Sequence, residues 1–152
     1  MKMAVFPCKM NPIHVGHLVQ IRRLIDRYDL VCIDILNDER FMSSIDETKD
    51  IIHEIFKYTI HKIIFKDHFL SYVNTIPEHD FPYDDVVYVT GNNDVYDNLL
   101  KNGFNVKKIK RFSFYRSSII RNMMVTVCNK EIGGNSQNGK NKRTSATGRR
   151  RI

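Results

Sequence analysis

The stretch NPIHVGHL, residues 11–18, places His14 and His17 three residues apart around Gly16, directly after the first strand-like run. Residues three apart on a helix share a face, so the two imidazoles would point the same way from a helix start. Such a start is already an anion site, with N–H groups that lack intrahelical partners and the positive end of the helix dipole. A glycine there lets a phosphate approach the backbone closely, and two imidazole donors added to it would grip a polyphosphate. A second cluster, RFSFYRSSIIR at 111–121, sets Arg111, Arg116 and Arg121 around Ser117 and Ser118, hydroxyls suited to cap a further helix. Each cluster has a plainer reading: an isolated histidine is more often a core or surface residue, and a helix start rich in arginine is more often solvated. Their occurrence in one chain is what points to phosphate. A zinc site on His-x-x-His would need a third ligand, and no Cys, Asp or further His stands near enough in sequence to supply it, so no protein-held metal is expected. Neither a Walker A motif nor GxGxxG is present, which removes the usual P-loop and dinucleotide fingerprints.

The elements that must position these groups follow from periodicity. Residues 2–6 (KMAVF) and 30–36 (LVCIDIL) are short apolar runs on either side of HLVQIRRLIDRY, where Leu18, Ile21, Leu24 and Ile25 recur at helical spacing. ETKDIIHEIFKY then gathers Ile51, Ile52, Ile55 and Phe56 on one helical face, ahead of a strand-like KIIF at 62–65. DVVYVTG at 85–91 reads as a strand, DVYDNLLKNG as a short helix stopped at Gly103, NVKKI as a strand and SSIIRNMM as a capped helix. Strands alternating with helices predict an α/β fold, a doubly wound parallel sheet of Rossmann-like type, with its ligands beyond the carboxyl ends of the strands. Residues 7–17, 36–45, 90–94 and 110–118 all fall at that edge.

The chain has 152 residues, enough for one core. Its formal charge of +7 is unevenly spread: residues 129–152 hold seven basic side chains against Glu131, a net +6. That stretch carries too few large apolar residues to offset its ordering entropy. We therefore expect a folded domain over 1–128 and a basic, disordered tail over 129–152, the one place where nucleic acid could be held. Three cysteines, Cys8, Cys32 and Cys128, show no CxxC spacing, which argues against a disulfide framework and for a reducing, cytoplasmic setting. Pro7 and Lys9 break the first apolar run, and no run approaches the ~18 residues of a membrane span. No membrane partner is expected, and a homo-oligomer is left open.

HVGH matches the His-x-Gly-His motif of the nucleotidyltransferase superfamily, and YRSSIIR resembles that superfamily's second signature, Ser-x-Thr/Ser-x-x-Arg, in the same order and at a similar distance. Within it the chain most resembles the short archaeal-type nicotinamide-nucleotide adenylyltransferases, over about residues 3–124. Where those carry Gly-Arg-Phe-Gln-Pro-Phe-His, this chain reads Cys8, Lys9, Met10, Asn11, Pro12, Ile13 and His14, and DVVYVTGNNDVYDNLLKNGFNVKKI is similar to their Val-Tyr-Ser-Gly-Asn-Pro segment with its helix and following strand. Lys9 keeps a charge but loses the arginine fork, Cys8 replaces a glycine, and Arg116 stands where the motif has serine. The family's nicotinamide-stacking tryptophan is missing, with Phe69 and Tyr72 in the corresponding region.

The resemblance implies adenylyl transfer from ATP to nicotinamide mononucleotide (NMN), giving NAD and pyrophosphate, with Mg²⁺ carried on ATP. It assigns His14, His17 and Arg121 to catalysis, and Lys9, Gly16, Asn92, Ser117 and Ser118 to ATP. Arg40 and Arg111 would hold the acceptor phosphate, and Phe69 or Tyr72 would stack on the acceptor base unless Tyr72 belongs to the core. Other members of the superfamily transfer to phosphopantetheine or form cytidylyl esters, and a non-catalytic nucleotide- or nucleic-acid-binding derivative is a further reading.

Overall fold

A strand that is apolar on both faces belongs in the middle of a covered sheet, and β1 (Lys2–Cys8) takes that place. The computed structural model describes residues 1–37 and 44–110; the boundary expected at residue 128, the tail and the helix expected at 117–124 lie outside the described residues. Five parallel strands form one sheet in the order β3-β2-β1-β4-β5, where β2 is Leu30–Leu36, β3 Ile63–His68, β4 Asp85–Thr90 and β5 Val106–Lys108. This is the doubly wound α/β architecture that the alternation of strands and helices predicts.

Alternate residues of each strand feed opposite faces. On one face Ala4, Phe6, Val31, Ile33, Ile35, Val87 and Val89 meet α1 (Val15–Arg27), through Ile21, Leu24 and Ile25, and α2 (Ile45–Ile55), through Ile52. On the other, Met3, Val5, Cys32 and Tyr88 meet Val95 and Leu99 of α3 (Asn93–Lys101), together with Tyr72 and Val106. The chain thus winds one way from β1 through β2 to β3, and the other way through β4 and β5. The reversal falls between β1 and β4, and in such sheets the crevice at the carboxyl ends beside a reversal is where ligands bind.

The helix ends are set by side chains. α2 starts two residues before the periodic stretch that marks it, because Ser44 and Glu47 form a reciprocal capping box, with N–H to oxygen distances of 3.0 and 2.8 Å. α3 stops as expected at Gly103, whose φ of +85° closes a Schellman turn: Gly103 N–H donates to the Leu100 carbonyl and Phe104 N–H to that of Leu99. Between β3 and β4 the chain crosses the sheet in sixteen residues, 69–84, without helix or strand. A structureless connection that long must be tied down by side chains, and the ties are part of the site.

Candidate active site

His14 is the N-cap of α1 and His17 its third helical residue. His14 Nδ1 accepts from the Gly16 N–H at 3.0 Å, and His17 Nδ1 accepts from the His14 N–H at 3.2 Å. This is a capping box built from imidazoles, and it is why α1 begins at Val15, ahead of its apolar stripe. The rings stack with centroids 3.9 Å apart and 26° between planes. Because each Nδ1 accepts, the proton of each neutral ring sits on Nε2, so both rings carry an N–H of the same sense at the positive end of a helix. Burial holds the His14 pKa below its ordinary value, and protonation at Nδ1 would break the cap. The pair is therefore built to act as neutral N–H donors at the end of β1.

The remaining expected residues divide three ways. Lys9 lies half-buried in the loop between β1 and α1, and Gly16 is buried with its N–H turned to the His14 ring. Asn92 stands at the carboxyl end of β4, where its side-chain oxygen caps α3 by accepting from the N–H groups of Asp94 and Val95 at 2.8 and 3.0 Å. Arg40, Arg111, Ser117, Ser118 and Arg121 lie outside the described residues. Lys110, the last described residue before the second cluster, is held to α1 through its carbonyl, which accepts from Gln20 Nε2 at 2.6 Å.

Phe69 and Tyr72 separate sharply. Phe69 is 71% exposed just past β3, whereas Tyr72 is 4% exposed. The Tyr72 ring stacks on His68, with centroids 4.1 Å apart and 12° between planes, and its hydroxyl donates to Asp34 Oδ2 at 2.7 Å. The expectation that Tyr72 stacks on an acceptor base is corrected here: the ring is a core residue whose polar tip is spent on a carboxylate.

That carboxylate was not among the expected site residues. Asp34 lies on β2 with no exposed surface, in a strand whose other residues are apolar. Its Oδ1 is 3.0 Å from His68 Nδ1, and its Oδ2 takes the Tyr72 hydroxyl. His79 Nε2 sits 3.3 Å from Oδ2, within ion-pair range but not aligned as a hydrogen bond. Burial alone would raise the Asp34 pKa, but the bonds from His68 and Tyr72 and the fields of His68 and His79 outweigh it and hold the carboxyl below its ordinary value. Burial and the Asp34 carboxylate in turn push the Tyr72 phenol up. One buried anion thus ties the end of β3 and the long crossover to β2, while Asn98 of α3 clamps the same crossover by donating to the Tyr72 and Thr75 carbonyls, each at 2.9 Å. A lone carboxylate inside LVCIDIL was the available signal, since a buried charge requires partners.

No protein-family model and no curated protein sequence matches the chain. Solved structures share its fold. Two are of a bifunctional NMN adenylyltransferase/ADP ribose pyrophosphatase from Francisella tularensis, both 13% identical, with TM-scores of 0.64 and, for the complex with AMP and Mn ion, 0.61. Each match covers 80% of this chain and 41% of the other, so the chain spans about two fifths of those proteins. A third, from Vibrio parahaemolyticus, is provisionally named a nicotinate-nucleotide adenylyltransferase; it is 18% identical with a TM-score of 0.56 and covers 83% of this chain and 88% of that one. At these identities the likeness is one of fold, the Rossmann-like α/β fold. Among the described residues no helix is long and apolar enough to cross a membrane.

Proposed function

We propose that the chain transfers an adenylyl group from ATP to nicotinamide mononucleotide. The observation that carries this reading is the imidazole capping box, which presents two neutral N–H donors at a helix start beside the reversal of the sheet. The names of the solved structures with the same fold support it. In the reaction a phosphate oxygen of NMN attacks the α-phosphorus of ATP, the bond from that phosphorus to the bridging oxygen breaks, and pyrophosphate leaves with the electron pair. No protein nucleophile is required, only alignment and stabilisation of charge on the phosphoryl oxygens. His14 and His17 would donate to those oxygens, His17 nearest the reacting centre. Lys9, Ser117, Ser118 and Arg121 would hold the β- and γ-phosphates, and Asn92 would lie beside the nucleotide. Arg40 and Arg111 would take the acceptor phosphate, and Phe69 is the remaining aromatic candidate for its base. Among the described residues no group of three or more His, Cys, Asp or Glu is arranged to hold a metal, so Mg²⁺ would be bound by the phosphates of ATP, as that strongly hydrated ion usually is.

The test is pyrophosphate release from ATP with NMN, nicotinate mononucleotide, phosphopantetheine or glycerol phosphate as acceptor. The expected result is turnover with a pyridine mononucleotide. Turnover with another acceptor would keep the phosphate site and discard the acceptor, and release with none of them would discard adenylyl transfer.

A further inference from the structure

The Asp34 cluster leaves one nitrogen with a defined job. Asp34 is ionised at neutral pH, because its carboxyl is held below its ordinary value. The 3.0 Å contact between Asp34 Oδ1 and His68 Nδ1 is therefore an N–H donation from the ring. In the neutral ring this makes Nε2 a hydrogen-bond acceptor, the opposite sense to His14 and His17. Among the described residues none bonds His68 Nε2, and the only buried side-chain nitrogen or oxygen without a hydrogen bond is on His79. His68 Nε2 therefore touches solvent. The ring cannot swing away, because Asp34 holds one edge and Tyr72 covers one face.

His68 ends β3, two strands along the carboxyl edge from β1 and its imidazole cap. Adjacent strands stand ~4.8 Å apart, so the two sites are separated by about 10 Å along the edge, the reach of a ribose and base extending from a phosphate. Resting on the adenylyl-transfer reading above, we propose that His68 is a specificity-determining residue that reads the substituent on the acceptor's pyridine ring. A bare Nε2 accepts from the N–H of a carboxamide and opposes the oxygens of a carboxylate. The groups facing it are the Asp34 carboxylate from β2 and the Tyr72 hydroxyl and His79 imidazole from the crossover, and the negative charge of Asp34 adds to the rejection of an acid. The enzyme should thus favour the amide nucleotide over the acid nucleotide, a distinction that the two names attached to its structural neighbours leave open.

The experiment compares kcat/KM for NMN and nicotinate mononucleotide, with calorimetric binding of each to the same protein. The wild type should prefer NMN by at least about tenfold, the scale on which a site built for a hydrogen bond rejects an analogue lacking it. His68→Gln, whose amide can accept or donate, and His68→Phe, which keeps the stack on Tyr72, should both erase the preference, mainly through KM. Histidine ¹⁵N NMR needs no substitution: a ring with protonated Nδ1 and bare Nε2 should shift at Nε2 when NMN is added. No preference in the wild type, its persistence in a folded variant, or an unmoved Nε2 would each overturn the proposal. If neither nucleotide turns over but both bind with the expected preference, adenylyl transfer falls and the role of His68 stands. If neither binds, His68 has no such role.

Discussion

Two histidine centres lie at the same edge of the sheet and are wired in opposite senses. At α1 the rings of His14 and His17 accept backbone N–H groups through Nδ1 and keep their protons on Nε2. At the end of β3, His68 gives its Nδ1 proton to a fully buried carboxylate and turns an acceptor outward. The first centre costs little to build, because every bond in it lies within three residues and doubles as a helix cap. The second is built across the sheet, from strands and a crossover separated by tens of residues, and it holds those parts together. The same side chain thus serves as a phosphate donor where its support is local, and as part of a structural anchor where its support is a buried charge.

Substituting one member of each centre should separate chemistry from stability. Asp34→Ala should have the largest effect on folding, about 3–5 kcal/mol in urea unfolding, because it removes the shared partner of His68, Tyr72 and His79 and leaves a cavity. The sign with pH follows from its lowered pKa: the contribution is present above about pH 4 and is lost as acid protonates the carboxyl, so the wild type should unfold in acid along a slope that the variant lacks. A folded Asp34→Ala protein of wild-type stability would show that the cluster anchors nothing.

His17→Ala should show the reverse pattern. Loss of one donor to developing charge typically costs about 10²–10³ in rate, whereas loss of one arm of a capping box costs only ~1 kcal/mol of stability. Steady-state pyrophosphate release and a melting curve on the same sample check both. Unchanged turnover would remove His17 from the chemistry.

Smaller changes sharpen the contrast between neighbours. Tyr72→Phe keeps the stack on His68 but deprives the buried carboxylate of a donor, and should cost ~1–3 kcal/mol. A folded His14→Asn protein tests the local centre: asparagine can still cap but does not titrate. Because the His14 pKa lies below its ordinary 6.5, the unfolded chain takes up the proton first, so wild-type stability should fall as pH drops through that value and level off below the folded pKa. His14→Asn should flatten this fall in thermal melts between pH 7.5 and 5. Smallest of all, Phe69→Ala should leave stability within about ±0.5 kcal/mol, since the ring is mostly in solvent.

What the sequence disclosed divides along the same line. The parallel sheet, the three helices among the described residues and the placing of His14 before the helix with His17 in its first turn are legible, because each rests on short-range spacing. The reciprocal cap is a detail of that local geometry. Asp34, His68 and His79 share no spacing, since their meeting depends on the register of β2 with β3 and on the return of the crossover. Tyr72 shows the cost of that blindness: its neighbourhood in sequence offered a ligand role, and its neighbourhood in space assigns it to the core. Asn92 is similar, with an oxygen already committed to α3.

The central strand also bears on how the molecule comes into being. β1 is the earliest strand in the chain, yet its second neighbour is β4, with Lys2 opposite Asp85. As the chain emerges from N- to C-terminus, β1 can pair with β2 once residue 36 is out, while its other edge waits for some fifty more residues. Throughout that interval the most apolar strand of the sheet presents an open row of N–H and C=O groups, a template for any passing strand. Protection of the β1 amides on that side, followed by pulse-labelled hydrogen exchange during refolding, should be among the last to appear, arriving with β4.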